Sequence, residues 1–125
     1  MSRDAVTIDR KTPMGGPFSP AIRAGEFLYL SGQVGEDPDT GKLVSDNVAE
    51  QADQILKNIA KVLKAGGKSM ADVIKVNVYL TDIQNFAAMN EVYARHFEAP
   101  YPARTTVAVV ALPIGALVEM EAVAR

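Results

Sequence analysis

Residues 102–122 read PARTTVAVVALPIGALVEMEA, and this stretch does most to determine the fold. Its first part, from Thr105 to Val110, is rich in β-branched residues and leads into a proline and glycine turn at 113–115. Residues 118–122 then alternate between apolar and acidic side chains, which is the period of a half-buried strand. The two segments predict an antiparallel hairpin that is apolar on one face and acidic on the other.

Strand and helix patterns also precede this hairpin. Apolar residues recur at helical spacing from Val48 to Leu63, with Asp46 or Asn47 as the cap and Gly66-Gly67 as the end. The even-numbered residues from Ile74 to Leu80 are then expected on one face of a strand. The predicted order is a strand at 6–8, a shaped loop at 12–20, a buried strand at 27–30, a turn at 37–41, this helix, a strand at 74–81, a second helix at about 84–97 and the hairpin.

This order predicts one α+β domain over residues 1–125, with two helices on one face of a mainly antiparallel sheet. The 13 basic and 15 acidic residues give a net charge of −2, so the chain as a whole does not attract polyanions. No apolar run approaches the length of a membrane helix, and residues 1–4 lack the hydrophobic start of a signal peptide. We therefore expect a cytoplasmic protein with no membrane partner.

Arg104 is the first candidate for chemistry. An arginine stays charged in proteins, and its planar fork binds a carboxylate through two hydrogen bonds. Pro100 and Pro102 stiffen the backbone before it. The residue pattern also fits a surface ion pair, which is the more common situation of an arginine.

Glu119 and Glu121 share the acidic face of the last predicted strand, where they either face water or serve as a base. His96 is the only histidine, and there are no cysteines. We expect His96 to be a partly exposed helix residue. One histidine without cysteine leaves only carboxylates and carbonyls as metal ligands, and it excludes a two-histidine ribonuclease centre within one chain. We predict no metal site.

Several separated motifs resemble one family. They are GPFSPA at 16–21, LSGQV at 30–34, Asn90 within FAAMNEVYARHF, and PARTTVAVVALPIGALVEMEAVA from residue 102. This set, in this order, resembles the RidA deaminases, also called the YjgF-like or L-PSP family, and it spans about the whole chain. One departure is Phe18, because the family has a tyrosine there.

The resemblance implies a cofactor-free 2-iminobutanoate/2-iminopropanoate deaminase. Such an enzyme hydrolyses reactive imino acids, including 2-aminoacrylate derivatives, to 2-keto acids and ammonia. Arg104 would bind the substrate carboxylate, and Glu119 would orient and deprotonate the attacking water, while Glu121 would be structural. The residues implied to complete the substrate pocket are Phe18, Ser31, Gly32, Asn90 and the main chain of Thr106.

The resemblance further implies a chorismate-mutase-like fold assembled as a homotrimer, with sites between subunits. The predicted hairpin leads to the same assembly, because it separates Arg104 and Glu119 by about six residues, or roughly 20 Å along the strands. Two other functions stay open. One is an endoribonuclease or translation inhibitor, against which the charge balance and the lone histidine argue, and the other is a non-catalytic regulator that binds a small acid at Arg104.

Overall fold

Two helices and seven strands make up the fold of residues 3–125, the part of the chain that the computed structural model describes. Short 3₁₀ turns at 70–72, 83–85 and 113–115 join some of them. The strands are β1 (Asp4–Val6), β2 (Ala21–Ala24), β3 (Phe27–Leu30), β4 (Gln33–Val34), β5 (Val73–Leu80), β6 (Ala103–Ala108) and β7 (Val118–Ala124), and the helices are α1 (Val48–Ala65) and α2 (Phe86–His96).

All seven strands belong to one mixed sheet. The order is β1-β2-β3-β7-β5-β6, and β4 continues the edge that β3 presents to β7. All pairs of strands are antiparallel except β5 and β6, which run parallel. The predicted α+β class with two helices and a mainly antiparallel sheet is therefore confirmed.

The predicted C-terminal hairpin is wrong. β6 pairs only with β5, and β7 pairs with β3, β4 and β5, so β5 lies between the two segments that were expected to face each other. The reason is the helix between β5 and β6. Two strands separated by a crossover helix pair in parallel, and β7 then fills the gap between β3 and β5.

Helix α1 follows its sequence pattern closely. Asn47, not Asp46, is the cap, because its side-chain oxygen accepts a hydrogen bond from the Glu50 amide at 3.0 Å. The helix ends at Gly66, and Gly67 follows with φ at +77°, a conformation that glycine adopts without strain. Its apolar stripe packs on β7 and β4.

Three local predictions need correction. The first strand spans Asp4–Val6 instead of 6–8. Ile74 is exposed and Val73 is buried, since the register of β5 against β7 shifts between Val73 and Lys75. The turn at 37–41 exists, but it closes a single bridge between Glu36 and Leu43 and not two full strands.

The sheet has one covered and one open face. Val76, Val78 and Leu80 of β5 are fully buried beneath the helices, as are the even-numbered residues of β7. The intervening side chains point to the other face, where Tyr29, Ile74 and Val107 are each at least 40% exposed. No helix within residues 3–125 is long and apolar enough to cross a membrane.

Candidate active site

Arg104 lies on β6, at the edge of the sheet. Its Cα is opposite Val76, whose side chain is buried under the helices, so the arginine side chain points to the helical face as well. The guanidinium carbon lies 4.7 Å from the ring centre of Tyr93 and 5.6 Å from that of Phe86, both on α2. Such cation–π contacts hold the charge in place without neutralising it.

No carboxylate within residues 3–125 lies within 4 Å of the Arg104 side-chain nitrogens. The surface ion pair that the sequence left open is therefore not formed within the described chain. A fixed cation without a counter-charge is suited to bind an anionic ligand.

Three buried oxygen atoms near this strand and helix also lack a partner among the described residues. They belong to the side chains of Asn90, Tyr93 and Thr106. Thr106 shares the helical face with Arg104, because it is opposite Val78. Burial raises the pKa of Tyr93, although the charge of Arg104 opposes the shift. We call Phe86, Asn90, Tyr93, Arg104 and Thr106 the arginine cluster.

Glu119 lies elsewhere, in a cavity of about 240 Å³. The cavity is bounded by the loop at 12–20, β4 and the turn at 113–115. The Glu119 carboxylate lies directly over Gly32, so that a side chain at position 32 would collide with it. Phe18, half exposed, forms another wall. We call this the glutamate cavity.

The close approach of Glu119 to Gly32 follows from an irregularity in the sheet. Tyr29 pairs with Val123 and Gln33 pairs with Met120, so three residues of one strand face two of the other. The extra residue is a β-bulge, which interrupts the strand at Ser31-Gly32. Glycine at this position gives the carboxylate its space.

Burial raises the pKa of Glu119, and the negative charge of Glu121 on the same strand face raises it further. Glu121 itself accepts a hydrogen bond from the Tyr79 hydroxyl. That bond, together with burial, raises the pKa of Tyr79 to about 12. Glu119 thus combines a carboxylate's basicity with a less polar setting, which makes it a stronger base than an exposed glutamate.

Two side chains anchor the loop that carries Phe18. The Ser31 hydroxyl donates to the Ser19 carbonyl at 2.6 Å. Arg10 donates to the Thr12 carbonyl at 2.7 Å and to the Glu36 carboxylate at 2.7 Å. Ser31, predicted as part of the pocket floor, does not line the cavity and instead holds its wall.

The arginine cluster and the glutamate cavity are separate in one chain. Glu119 is opposite Tyr79 on β5, so its side chain points to the open face, whereas Arg104 points to the helical face. Between them lie two strand spacings and three residues of strand, which gives Cα atoms about 14 Å apart. The predicted hairpin, from which a separation was first inferred, does not exist. The two residues are separated because their side chains lie on opposite faces of the sheet.

The structure thus sorts the predicted site residues into two groups. Phe18, Gly32 and Glu119 meet in the cavity, and Asn90, Arg104 and Thr106 meet beside α2. Sequence reasoning missed the aromatic rings that hold Arg104, although Phe86 and Tyr93 are seven residues apart and therefore share a helix face. It also missed the contributions of residues 8–14 and 113–114 to the cavity, for which the sequence gives no periodic signal.

His96 takes no part in either group. Its Nε2 lies 2.7 Å from Asp53 on α1, which also pairs with Lys57. Hydrogen bonds from Lys57 and His96 lower the pKa of Asp53. Within residues 3–125 no set of three histidine or acidic side chains is grouped to hold a metal ion.

Comparison with known proteins identifies the family of the chain. The family profile described as Endoribonuclease L-PSP matches residues 9–125. The sequence is 47% identical over 109 residues to human 2-iminobutanoate/2-iminopropanoate deaminase, which covers 87% of this chain and 80% of the human protein. It is 41% identical over 124 residues to the chloroplastic Reactive Intermediate Deaminase A of Arabidopsis thaliana, covering 99% of this chain and 66% of the plant protein.

Solved structures give the same result for the fold. The crystal structure of E. coli TdcF with bound serine superimposes with a TM-score of 0.90 at 35% identity, over 97% of each chain. The family fold implied by the sequence motifs is thereby confirmed. This chain belongs to the Endoribonuclease L-PSP family, the family of the RidA deaminases.

Proposed function

We propose that this chain hydrolyses 2-imino acids, and the enamines that tautomerise to them, to 2-keto acids and ammonia. The observation that carries the proposal is the uncompensated Arg104 guanidinium, held between two aromatic rings where a carboxylate can bind. The human relative's name specifies 2-iminobutanoate and 2-iminopropanoate, and the E. coli relative binds serine, a small amino acid. Both ligand classes carry the carboxylate that Arg104 would bind.

The reaction adds one water to R–C(=NH)–COO⁻. Glu119 accepts a proton from water as the water oxygen bonds to the imine carbon, and it then passes this proton to the nitrogen, which gives R–C(OH)(NH2)–COO⁻. Glu119 next accepts the hydroxyl proton and transfers it to the amino nitrogen as the C–N bond breaks and the C=O bond forms, which releases ammonia and leaves the keto acid. A carboxylate whose pKa is raised is suited to both steps, because it is a better base and a usable acid.

No cofactor is needed in this scheme, since the imine carbon is already an electrophile. Arg104 fixes the carboxylate and so holds the reacting carbon in place, while the walls around Glu119 limit the access of other water. Phe18 supplies an apolar wall there. The protein's contribution is orientation and a weakly polar setting.

Arg104 and Glu119 serve one substrate only if they come from adjacent copies. In one chain their side chains lie on opposite faces of the sheet, and their Cα atoms are about 14 Å apart. The open sheet face carries exposed Tyr29, Ile74 and Val107, an apolar surface of the kind that packs against another chain. We infer a homotrimer whose interfaces join the arginine cluster of one copy to the glutamate cavity of the next.

An assay of imine hydrolysis tests the activity. Imino acids made in place by an amino-acid oxidase should yield keto acid faster when the protein is present, with semicarbazide as the competing trap. A parallel incubation with single-stranded RNA tests the endoribonuclease alternative. RNA cleavage without imine hydrolysis would contradict the proposal, and carboxylate binding without either activity would favour the non-catalytic regulator.

Mixed assemblies test the shared site. Arg104→Ala and Glu119→Ala proteins should each be inactive, but after joint unfolding and reassembly about one quarter of the interfaces should pair two intact residues. Activity should recover to about that fraction of the parent. Each variant reassembled alone is the control. No recovery in trimers shown to be mixed would contradict a site shared between copies, whereas an active Glu119→Ala protein would place Glu119 outside the site.

A further inference from the structure

The glutamate cavity is larger than the smallest imino acids require. We propose that this cavity holds the side chain of the substrate, an inference that rests on the proposed function. Ile114 then makes the enzyme select the imines of large apolar amino acids over the imine of alanine. An imine carbon carries a carboxylate, a nitrogen and the side chain. With the carboxylate at Arg104 of the adjacent copy and the attacking water at Glu119, the side chain enters the cavity beyond Glu119.

The size and lining of the cavity favour an apolar group. Its volume is about 240 Å³, compared with roughly 150 Å³ for an engineered apolar cavity that binds benzene. A methyl group would leave most of this space unfilled, whereas a branched or aromatic side chain would displace water from it. The apolar side chains that line it are Ile8, Met14, Phe18, Pro20, Val34, Pro113 and Ile114.

Two charged side chains that line the cavity neutralise each other. Arg10 and Glu36 form an ion pair in which both side chains are largely buried. The remaining Arg10 hydrogen bonds go to the carbonyl and hydroxyl of Thr12 and, at 3.8 Å, to the Met14 sulfur. The Arg10–Glu36 pair carries no net charge, and Glu119 adds a negative charge to the cavity lining. Acidic substrate side chains are therefore disfavoured.

Ile114 occupies an unusual backbone position at this cavity. Its φ is +53°, in the left-handed region that β-branched residues rarely adopt, and its side chain is 57% exposed. Strain of this kind persists where the surrounding structure imposes it, and it often occurs at ligand sites. Pro113 and Gly115 on either side fix the turn and direct the isoleucine side chain to the cavity. A strained, exposed apolar residue beside the base is suited to contact a ligand.

Substrate ranking tests this inference. We expect the parent's kcat/KM to be about tenfold or more higher for the leucine-derived imine than for the alanine-derived imine. Ile114→Gly keeps the left-handed conformation, and it should reduce that ratio by about five- to tenfold. Ile114→Asn also tolerates this conformation, so its ratio should fall for the same reason. Val110→Gly, at an exposed position of the same connection outside the cavity, should leave the ratio unchanged.

Binding of the products separates this inference from the proposed reaction. Calorimetric titration with 4-methyl-2-oxopentanoate and with pyruvate should show tighter binding of the larger acid, and Ile114→Gly should narrow the difference. If no imine is hydrolysed, the proposed function fails, while this binding difference still tests the cavity. The role of Ile114 would be overturned if the parent and Ile114→Gly had the same ratio of kcat/KM for the leucine-derived and alanine-derived imines. It would also be overturned if sedimentation showed that Ile114→Gly changes the assembly state while this ratio stays the same.

Discussion

The proposed roles of the arginine cluster and the glutamate cavity depend on different physical properties. The arginine cluster presents a charge that two rings hold without neutralising it, on a regular strand beside a regular helix. The glutamate cavity depends on shape, because a bulge, a glycine and a loop create the space in which one carboxylate becomes more basic. The first can be damaged by removing a charge, and the second by adding a single methyl group.

Removal of the Arg104 charge should have the largest effect. Loss of a charged hydrogen-bonded pair costs about 1.5 to 3 kcal/mol, so Arg104→Ala should lower kcat/KM by about tenfold to over a hundredfold. Arg104→Lys should recover little, since lysine lacks the planar fork. Steady-state kinetics on one imine would measure both.

Arg95→Ala is the matched control for that experiment. Arg95 lies on α2, the helix that packs against Arg104, but its side chain is solvent-exposed and pairs with Glu91. Its removal should leave kcat/KM close to the parent value. An Arg104→Ala protein as active as Arg95→Ala would show that Arg104 does not bind the carboxylate.

A methyl group at Gly32 should have the next largest effect. It would meet the flexible end of Glu119, which can move aside, so the fold should tolerate Gly32→Ala while the carboxylate is displaced. A displacement of about 1 Å can cost on the order of a hundredfold in rate. We expect a large fall in kcat with the melting temperature nearly unchanged.

Gly35→Ala provides the contrast. A methyl group at Gly35 would lie 2.7 Å from the Gln51 Cα, which cannot move without shifting α1. Overpacking of this kind destabilises by about 1 to 3 kcal/mol. Gly32→Ala could instead lower the free energy of unfolding as much as Gly35→Ala does, and lower kcat no more than Gly35→Ala does. In that case the space at Gly32 would serve the fold and not the base.

The smallest effect concerns the charge next to Glu119. In the proposed reaction the ionised Glu119 is the active form, so kcat/KM should fall as the pH drops through its pKa, which burial and Glu121 have raised. Glu121→Gln removes the second cause and should move this acid limb to lower pH. The pH profile of kcat/KM measures the shift, with exposed Glu50→Gln as the control. An acid limb that stays in place would mean that another group titrates.

The same pKa shift affects stability. A raised pKa in the folded state means that Glu119 contributes stability fully at low pH and loses it as the pH rises through the raised pKa. Glu119→Gln should therefore raise the unfolding temperature more at neutral pH than at about pH 4. The opposite order would contradict the buried setting of this carboxylate.

The regular elements of the fold could be predicted from the sequence, whereas the irregular ones could not. Helix α1, its cap at Asn47 and strand β3 follow from local periodicity and were predicted almost to the residue. Arg104 and Glu119 stood out because charged residues beside strand patterns are visible in a sequence. Family motifs added Phe18 and Gly32, which the structure places beside Glu119.

What local pattern could not supply was pairing between distant segments. The parallel partner of β6 is β5, thirty residues before it, and the bulge at Ser31-Gly32 depends on how β7 aligns with two separate strands. Ile74 was misplaced because one irregular pair changes the face of a residue. The cavity walls come from segments with no regular period, and only the folded chain brings them together.

Strand β7 comes latest among the described elements yet lies in the middle of the sheet, between β3 and β5. During synthesis, residues 3–117 therefore emerge as two groups of strands with no strand to join them. Each group exposes an unpaired edge that can recruit another nascent chain. The sheet closes late and through long-range contacts, a topology associated with slow folding and with dependence on chaperones.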